Sequence, residues 1–448
     1  MSLAARLAGF AVDLSWDRIA PLRQKRIRWA AADFYALTAA GAVTEDAWLA
    51  DVLAHPGDVA VPGLKTTYTR ESAILAMGTV GALLQAHDWF KPAGLHGSSV
   101  IVPAAWVCWD RARHSVADLL TAIAAGYEIT NRLGLLCAVN ASPGAAGTST
   151  MGAVGAAAAV SRLMGFDKKT TAAALSMAGV YAPLASVGPM REHASAAPMH
   201  NGLAARAGYE AAMMAKAGLD AGAHVFEGNN WGQPGFVAFL GGAGGQDSLA
   251  AFTPETWNLE TVDQVFFKDL PACARNQAIV KAVLGLVIDE KVGNDVRAIR
   301  IVTDPRTVAF DHTNGAPFGL YDRLMSYRWQ VASTLVHGDY GLANLDQGPN
   351  EPAVAEMMAR ITVHASDEFT PGGNRQPGAR VEVDTDRATF AAERRLDFDL
   401  PLEAGWFTPY CTPATSMDEA GMERKYFAFA GRSLSRGTAK ATLDLLLN

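Results

Sequence analysis

The sequence predicts a mainly α protein with a smaller α+β domain. Apolar residues recur at helical spacing through roughly the first 260 residues. Short segments in which polar and apolar residues alternate occur only after Phe266, and the tail at 416–447 is helical again. We therefore predict a large all-helical domain formed by both chain ends, residues 1–265 and 400–448, and an α+β insert with a short sheet over 266–399.

Segments rich in alanine, leucine and glycine define the predicted helices of the first part. Their apolar positions share one face, and small residues in two of them would let helix axes approach closely. The segments are 117–129, 147–160, 170–179, which Asp167 precedes as a capping residue, and 201–217. The glycine-rich run at 241–245 is predicted to be a flexible loop, since no Lys-Ser/Thr pair follows it as in a phosphate-binding loop.

The second part alternates in the way that half-buried strands do. The predicted strands are 296–302, 360–365 and 379–384, and the predicted helices are 277–290 and 325–337. This order indicates an α+β domain with a short sheet, not a βαβ repeat. We expect the helical tail to dock on the first domain, and a cleft between two such domains is a favoured ligand site.

Composition excludes several classes of function. The 448 residues carry a net charge of −7 with no basic cluster, which argues against nucleic-acid binding. The four scattered cysteines form no CxxC pair, and no signal peptide or apolar span is evident, so we predict a cytoplasmic protein that does not enter a membrane. No histidine pair has metal-ligand spacing, so no metal is predicted.

The strongest candidate for a functional site is the polar stretch that runs from His87-Asp88 to His96 and Ser99. An apolar run at 100–106 follows at once, as at the start of a buried helix, where unpaired N–H groups favour anions. The alternative is a helix cap with one histidine at the edge of the core.

Five stretches resemble the MmgE/PrpD family in their order and spacing. This resemblance extends over nearly the whole chain. The stretches are LHGSSVIVPA (95–104), AGYEITNRLG (125–134), TSTMGAVGAA (148–157), MHNGLAARAG (199–208) and KDLPAC (268–273). The family includes 2-methylcitrate dehydratases, cis-aconitate decarboxylases and iminodisuccinate epimerases. The resemblance implies a helical domain with a smaller α+β domain, a small polycarboxylate substrate, no metal or organic cofactor, and a homodimer.

Several residues that the family uses are replaced in this chain. Family histidines fall at Ala146 and near Asn276 or Gln277, a family lysine falls at Ala197, and a family tyrosine falls at about Trp329. The constellation of the dehydratases and decarboxylases is therefore largely missing.

The residues that remain suit the removal of a proton next to a carboxylate. His96 is the predicted base, because imidazole titrates near neutrality. Asp88 would orient His96 or act as a second base. Lys268 would donate a proton from the other face or hold a carboxylate; the alternative is a solvated lysine at a domain boundary.

Four further residues are predicted to bind substrate. Arg191 and Arg275 suit carboxylates because a guanidinium binds them through two parallel hydrogen bonds; the alternative for both is surface or interdomain ion pairing. His193 lies in a segment that resembles a loop. His200 lies at a helix start, where a purely structural role is an equal alternative.

Returning one proton needs fewer catalytic groups than eliminating water or CO₂. The sequence therefore favours an epimerase or isomerase of the iminodisuccinate type. The alternatives are a lyase of the 2-methylcitrate dehydratase or cis-aconitate decarboxylase kind, and an inactive homologue with a binding role.

Overall fold

The computed structural model of the chain describes residues 1–137, 146–183, 187–229, 231–293, 295–310, 319–348, 351–370, 377–396 and 417–448. It confirms a mainly α fold with an α+β part. Within these ranges, no helix is long and apolar enough to cross a bilayer. The exact domain boundaries at 265 and 400 stay a prediction.

The helices of the first part follow the predicted periodicity. They are Leu3–Asp13 (α1), Pro21–Gly41 (α2), Arg70–Ala82 (α3), Ser98–Cys108 (α4), Val116–Leu136 (α5), Gly147–Leu163 (α6), Lys168–Tyr181 (α7), Gly188–Arg191 (α8), Met199–Lys216 (α9) and Phe236–Ser248 (α10). Asp167 caps α7 as predicted, its carboxylate accepting from the backbone N–H of Thr170 at 2.7 Å.

Helix α6 packs against α4, α5, α7 and α9 in the interior of this part. Its alanines are buried. The backbones of α6 and α9 are so close that a larger residue would clash: a Cβ on Gly208 of α9 would lie 2.4 Å from the carbonyl oxygen of Ala153. The predicted close approach of these helices is confirmed.

The glycine-rich run at 241–245 is not a loop, so that prediction was wrong. It lies inside α10, where Gly241 crosses the end of α5 so closely that a Cβ would lie 2.8 Å from the Cα of Cys137. Glycine is present there because the two backbones touch, although glycine weakens a helix interior.

The second part contains the remaining helices. They are Gln277–Asp289 (α11), Pro305–Val308 (α12), Leu320–Met325 (α13), Tyr327–His337 (α14), Leu342–Asp346 (α15), Pro352–Met358 (α16), Glu419–Ala430 (α17) and Arg436–Leu447 (α18). The helix predicted at 325–337 begins instead at Tyr327, because Ser326 has an extended backbone and caps α14. Helices α17 and α18 pack against α2.

The strands form one mixed sheet and two short ladders. They are Pro56–Ala60 (β1), Thr67–Tyr68 (β2), Trp89–Phe90 (β3), Val265–Phe266 (β4), Val296–Thr303 (β5), Ile361–Ala365 (β6), Gly378–Thr385 (β7) and Thr389–Arg395 (β8). The mixed sheet has the order β6-β5-β7-β8, with β5 and β6 parallel and the other pairs antiparallel. The ladders are β1-β2 and β3-β4, and they place short strands within residues 1–265, where only helices were predicted.

Candidate active site

The β3-β4 ladder joins two distant segments that carry predicted site residues. Trp89 pairs with Phe266 and Phe90 pairs with Val265 in antiparallel register. His87 precedes β3 by two residues and Lys268 follows β4 by two residues, and the ammonium of Lys268 is close enough to lower the pKa of His87. The ladder therefore places Lys268 beside the His87-Asp88 segment.

His96 is held beside Asp88 because the chain folds back between β3 and α4. Phe90 and Leu95 exchange backbone hydrogen bonds of 2.7 and 3.2 Å, and the backbone N–H of His96 donates to Thr148 Oγ1 at 3.1 Å. Nδ1 of His96 lies 2.6 Å from the backbone oxygen of Asp88. A carbonyl only accepts, so Nδ1 carries the hydrogen and Nε2 carries the lone pair.

The imidazole of His96 is neutral. Burial, with a smaller contribution from the ammonium of Lys268, lowers the pKa of His96 to about 3. Its side chain is nevertheless half-buried at the molecular surface, and Nε2 makes no hydrogen bond to a described residue. The expectation that this imidazole titrates near neutrality was therefore wrong; Nε2 presents a free lone pair, although its basicity is low.

One predicted role of Asp88 was that its carboxylate orients His96. That prediction was wrong. The carboxylate accepts from the backbone N–H of Ser98 at 3.1 Å, from the Ser98 hydroxyl, and from the Tyr127 hydroxyl at 2.7 Å. Burial raises the pKa of Asp88 to about 6, against the opposing effect of these hydrogen bonds. The carboxylate thus caps α4, and the backbone oxygen of the same residue orients His96.

Lys268 is not the solvated lysine of the alternative interpretation. Its side chain is only 3% exposed, and Nζ is buried with no hydrogen-bond partner among the described residues. Burial lowers the pKa of Lys268 to about 8. The ammonium is therefore a desolvated cation that still carries its proton at neutral pH.

A second buried lysine lies behind the site and was not predicted. Lys425 of α17 pairs with Asp33 of α2 at 2.7 Å, both side chains being buried, and donates to the backbone oxygen of Ala86 at 2.9 Å. Ala86 directly precedes His87. The pair fixes the backbone that leads into His87, and Lys425 also disfavours the charge on Lys268.

His200 lies at the start of α9, close enough to affect the pKa of His96. Its Nδ1 hydrogen-bonds to the backbone oxygen of Ala197, and burial lowers its pKa. The neighbouring Asn201 accepts from the Ser99 hydroxyl at 3.2 Å, which ties α9 to the start of α4. His200 is half-buried, and its Nε2 has no hydrogen-bond partner among the described residues.

The two candidate arginines, Arg191 and Arg275, both lie beside the ring of Phe310. The guanidinium carbons of Arg191 and Arg275 lie 5.9 and 5.3 Å from the ring centroid of Phe310. Both arginines are exposed, and neither forms an ion pair with a described carboxylate. The alternative that these arginines form ion pairs finds no support among the described residues. Both guanidinium groups beside Phe310 are therefore available to bind an anion.

His193 is engaged by the protein itself. Its backbone has a left-handed φ of 54°, Nδ1 lies 3.3 Å from Asp322, and Nε2 lies 3.2 Å from the backbone oxygen of Phe310. These contacts bury the ring and anchor the segment after α8. Helix α8 itself is a single helical turn, where a loop was predicted.

Residues at the replaced family positions, such as Ala146 and Ala197, are buried. The Asn276 amide donates to the backbone oxygen of Met325 at 2.9 Å and to Gln330 Oε1 at 3.1 Å. Within the described ranges, no three His, Cys, Asp or Glu side chains are grouped so as to hold a metal ion.

Comparison with known proteins agrees with this architecture. The MmgE/PrpD N-terminal domain profile matches residues 5–246, and the MmgE/PrpD C-terminal domain profile matches residues 270–446. The chain is also similar to human cis-aconitate decarboxylase, with 24% identity over 381 residues that cover 81% of this chain and 73% of the relative. The two profiles span most of the protein, and the chain therefore belongs to the MmgE/PrpD family.

Proposed function

We propose that this protein is an enzyme that removes and returns a proton next to a carboxylate of a small polycarboxylate, as a cofactor-independent epimerase or isomerase. The observation that carries the proposal is the pairing of a neutral His96, whose Nε2 is free, with a buried Lys268 whose ammonium has no partner among the described residues. A base and a cation at one place are what such a proton transfer needs.

In the proposed reaction, His96 Nε2 takes the proton from the carbon atom next to a carboxylate. The electron pair of the broken C–H bond moves into the carboxylate, which becomes an enediolate. Lys268 stabilises the added negative charge, and Arg191 and Arg275 hold a second carboxylate. Return of a proton to the other face, from Lys268 or from solvent, completes epimerisation without gain or loss of atoms.

The replaced family positions favour this reaction over elimination. Loss of water requires an acid at the leaving hydroxyl, and loss of CO₂ requires protonation of the carbanion that forms. Ala146 and Ala197 cannot supply either proton. A reaction that needs few acid and base groups suits the residues that remain.

A lyase is the second candidate, and the similarity to cis-aconitate decarboxylase favours it. Burial lowers the pKa of Lys268 to about 8, so this lysine can donate a proton near neutral pH in a lyase as well. A homodimer, independence of metal ions and a cytoplasmic location stay predictions for either activity.

Proton NMR in D₂O separates the candidates. The protein would be incubated with a panel of di- and tricarboxylic acids, including imino and hydroxy derivatives. Exchange of the proton next to a carboxylate without net product supports the epimerase, whereas a new alkene signal or release of CO₂ identifies a lyase. Absence of both across the panel contradicts the enzymatic proposal and favours a binding role.

A further inference from the structure

His87 is a buried histidine to which the proposed reaction gives no role. It is 2% exposed, and its ring centroid lies 4.6 Å from that of His96, with an angle of 71° between the planes. His96 and His200 each engage Nδ1 with a backbone oxygen. Nδ1 of His87 is buried and has no hydrogen-bond partner in the ranges that the structure describes.

Lys268 lies close to His87. The β3-β4 ladder joins the segments that carry the two residues, the ammonium of Lys268 lowers the pKa of His87, and Nζ of Lys268 is also buried without a described partner. Buried polar groups are nearly always hydrogen-bonded, because an unmade hydrogen bond destabilises the fold. Two unmatched groups at one place therefore indicate that a ligand supplies their partner.

We propose that His87 is a further catalytic residue, whose Nδ1–H and the ammonium of Lys268 together bind the carboxylate oxygen that gains charge when His96 takes the proton. This inference rests on the proposed function. The step moves the proton to His96 Nε2 and the electron pair into the enediolate, so that no oxidant or reductant is needed.

The surroundings of His87 suit a neutral donor. Burial, followed by the ammonium of Lys268, lowers the pKa of His87 well below its usual value, so the ring stays uncharged. His96 becomes an imidazolium when it takes the substrate proton, and a neutral ring at 4.6 Å does not repel it. With its hydrogen on Nδ1, His87 would join Lys268 as a second donor to that oxygen, and such donors stabilise the transition state more than the ground state.

Binding of two dicarboxylate-like probes tests this role without turnover. The nitronate form of 3-nitropropionate resembles an enediolate, whereas succinate resembles the ground state. Calorimetric titration should show that the wild-type protein prefers the nitronate. His87→Phe keeps the ring packing but removes the donor, and it should lower nitronate affinity by about 10²-fold while succinate affinity changes little. His87→Asn places an amide N–H near the position of Nδ1 and should restore part of the preference.

The outcomes separate this inference from the proposed function. A His87→Phe protein that exchanges substrate protons and prefers the nitronate like the wild type would overturn the role of His87 alone. A wild-type protein that binds neither probe and exchanges no polycarboxylate proton would overturn the proposed function and this inference with it. If His87→Phe does not fold, the comparison of His87→Asn with His87→Gln, whose donor lies nearer to Nε2, decides the question.

Discussion

Nδ1 of His96 donates to the backbone oxygen of Asp88, at 2.6 Å, and not to the carboxylate of that residue. A backbone oxygen carries no titrating charge, so the tautomer of His96 stays the same while the Asp88 carboxyl gains or loses its proton. The nitrogen that would act as the base is thereby selected by the path of the chain.

The pH dependence of the reaction should follow Lys268. His96 has a pKa of about 3 and is already deprotonated at pH 5, so it should add no acid limb near pH 6.5. Lys268 loses its charge as the pH rises through about 8, and kcat/KM should fall above that pH. In Lys268→Arg the cation persists, and the alkaline limb should move upward. An unchanged limb at pH 8 in this variant would contradict the assignment.

His96→Gln should reduce proton exchange by about 10²–10⁴-fold, because the amide cannot act as a base. The rate of deuterium incorporation measures the loss, and circular dichroism shows whether the fold is kept. His55→Gln, at an exposed histidine, is the matched control and should exchange at the wild-type rate. Equal rates in both variants would move the role of base to His200, whose Nε2 has no described partner.

The same substitution at the two buried lysines should change stability in opposite directions. Lys268→Met removes a desolvated cation without a described partner, and should raise the free energy of unfolding by about 1–3 kcal/mol while activity is lost. Lys425→Met leaves the buried Asp33 without its partner, and should lower that free energy by about 3–5 kcal/mol.

Urea unfolding of the two variants at pH 7 provides the comparison. Asp33→Asn combined with Lys425→Met should recover part of the lost stability, since it removes the unpaired charge. A destabilised Lys268→Met protein would show that Lys268 has a structural partner.

Arg275→Lys should mainly weaken substrate binding. The lysine keeps the charge but cannot form two parallel hydrogen bonds to a carboxylate, so KM should rise by about tenfold with a smaller change in kcat. Arg297→Lys is the control, since Arg297 is exposed and pairs with Asp386 on the sheet. A KM equal to that of the wild type would remove Arg275 from the site.

The sequence predicted the long helices and three of the four strands of the mixed sheet because their periodicity is regular, as in α6 and β5. It did not predict β8, whose residues are exposed or half-buried. It missed the β3-β4 ladder, since strands of two residues, Trp89–Phe90 and Val265–Phe266, show no alternation. Without that ladder nothing in the sequence brings Lys268 to His87, and a single lysine is normally expected at the surface.

The prediction of a loop at 241–245 failed for a different reason. Glycine is typical of loops and also of helices that touch another backbone, and only the position of Cys137 distinguishes the two cases. The hydroxyl of Tyr127 was equally unpredicted, although Tyr127 lies in one of the stretches that carried the resemblance.

The contact of Lys425 with Asp33 and Ala86 has a consequence for biosynthesis. His87, Asp88 and His96 leave the ribosome long before α17 is made, so the nascent chain contains the reactive groups while Asp33 lacks its counter-ion and the Ala86 carbonyl lacks its donor. Helix α17 therefore completes the contacts of the His87-Asp88 segment only late in synthesis. Chains that terminate before α17 should lack this support, and premature products of translation should carry no activity.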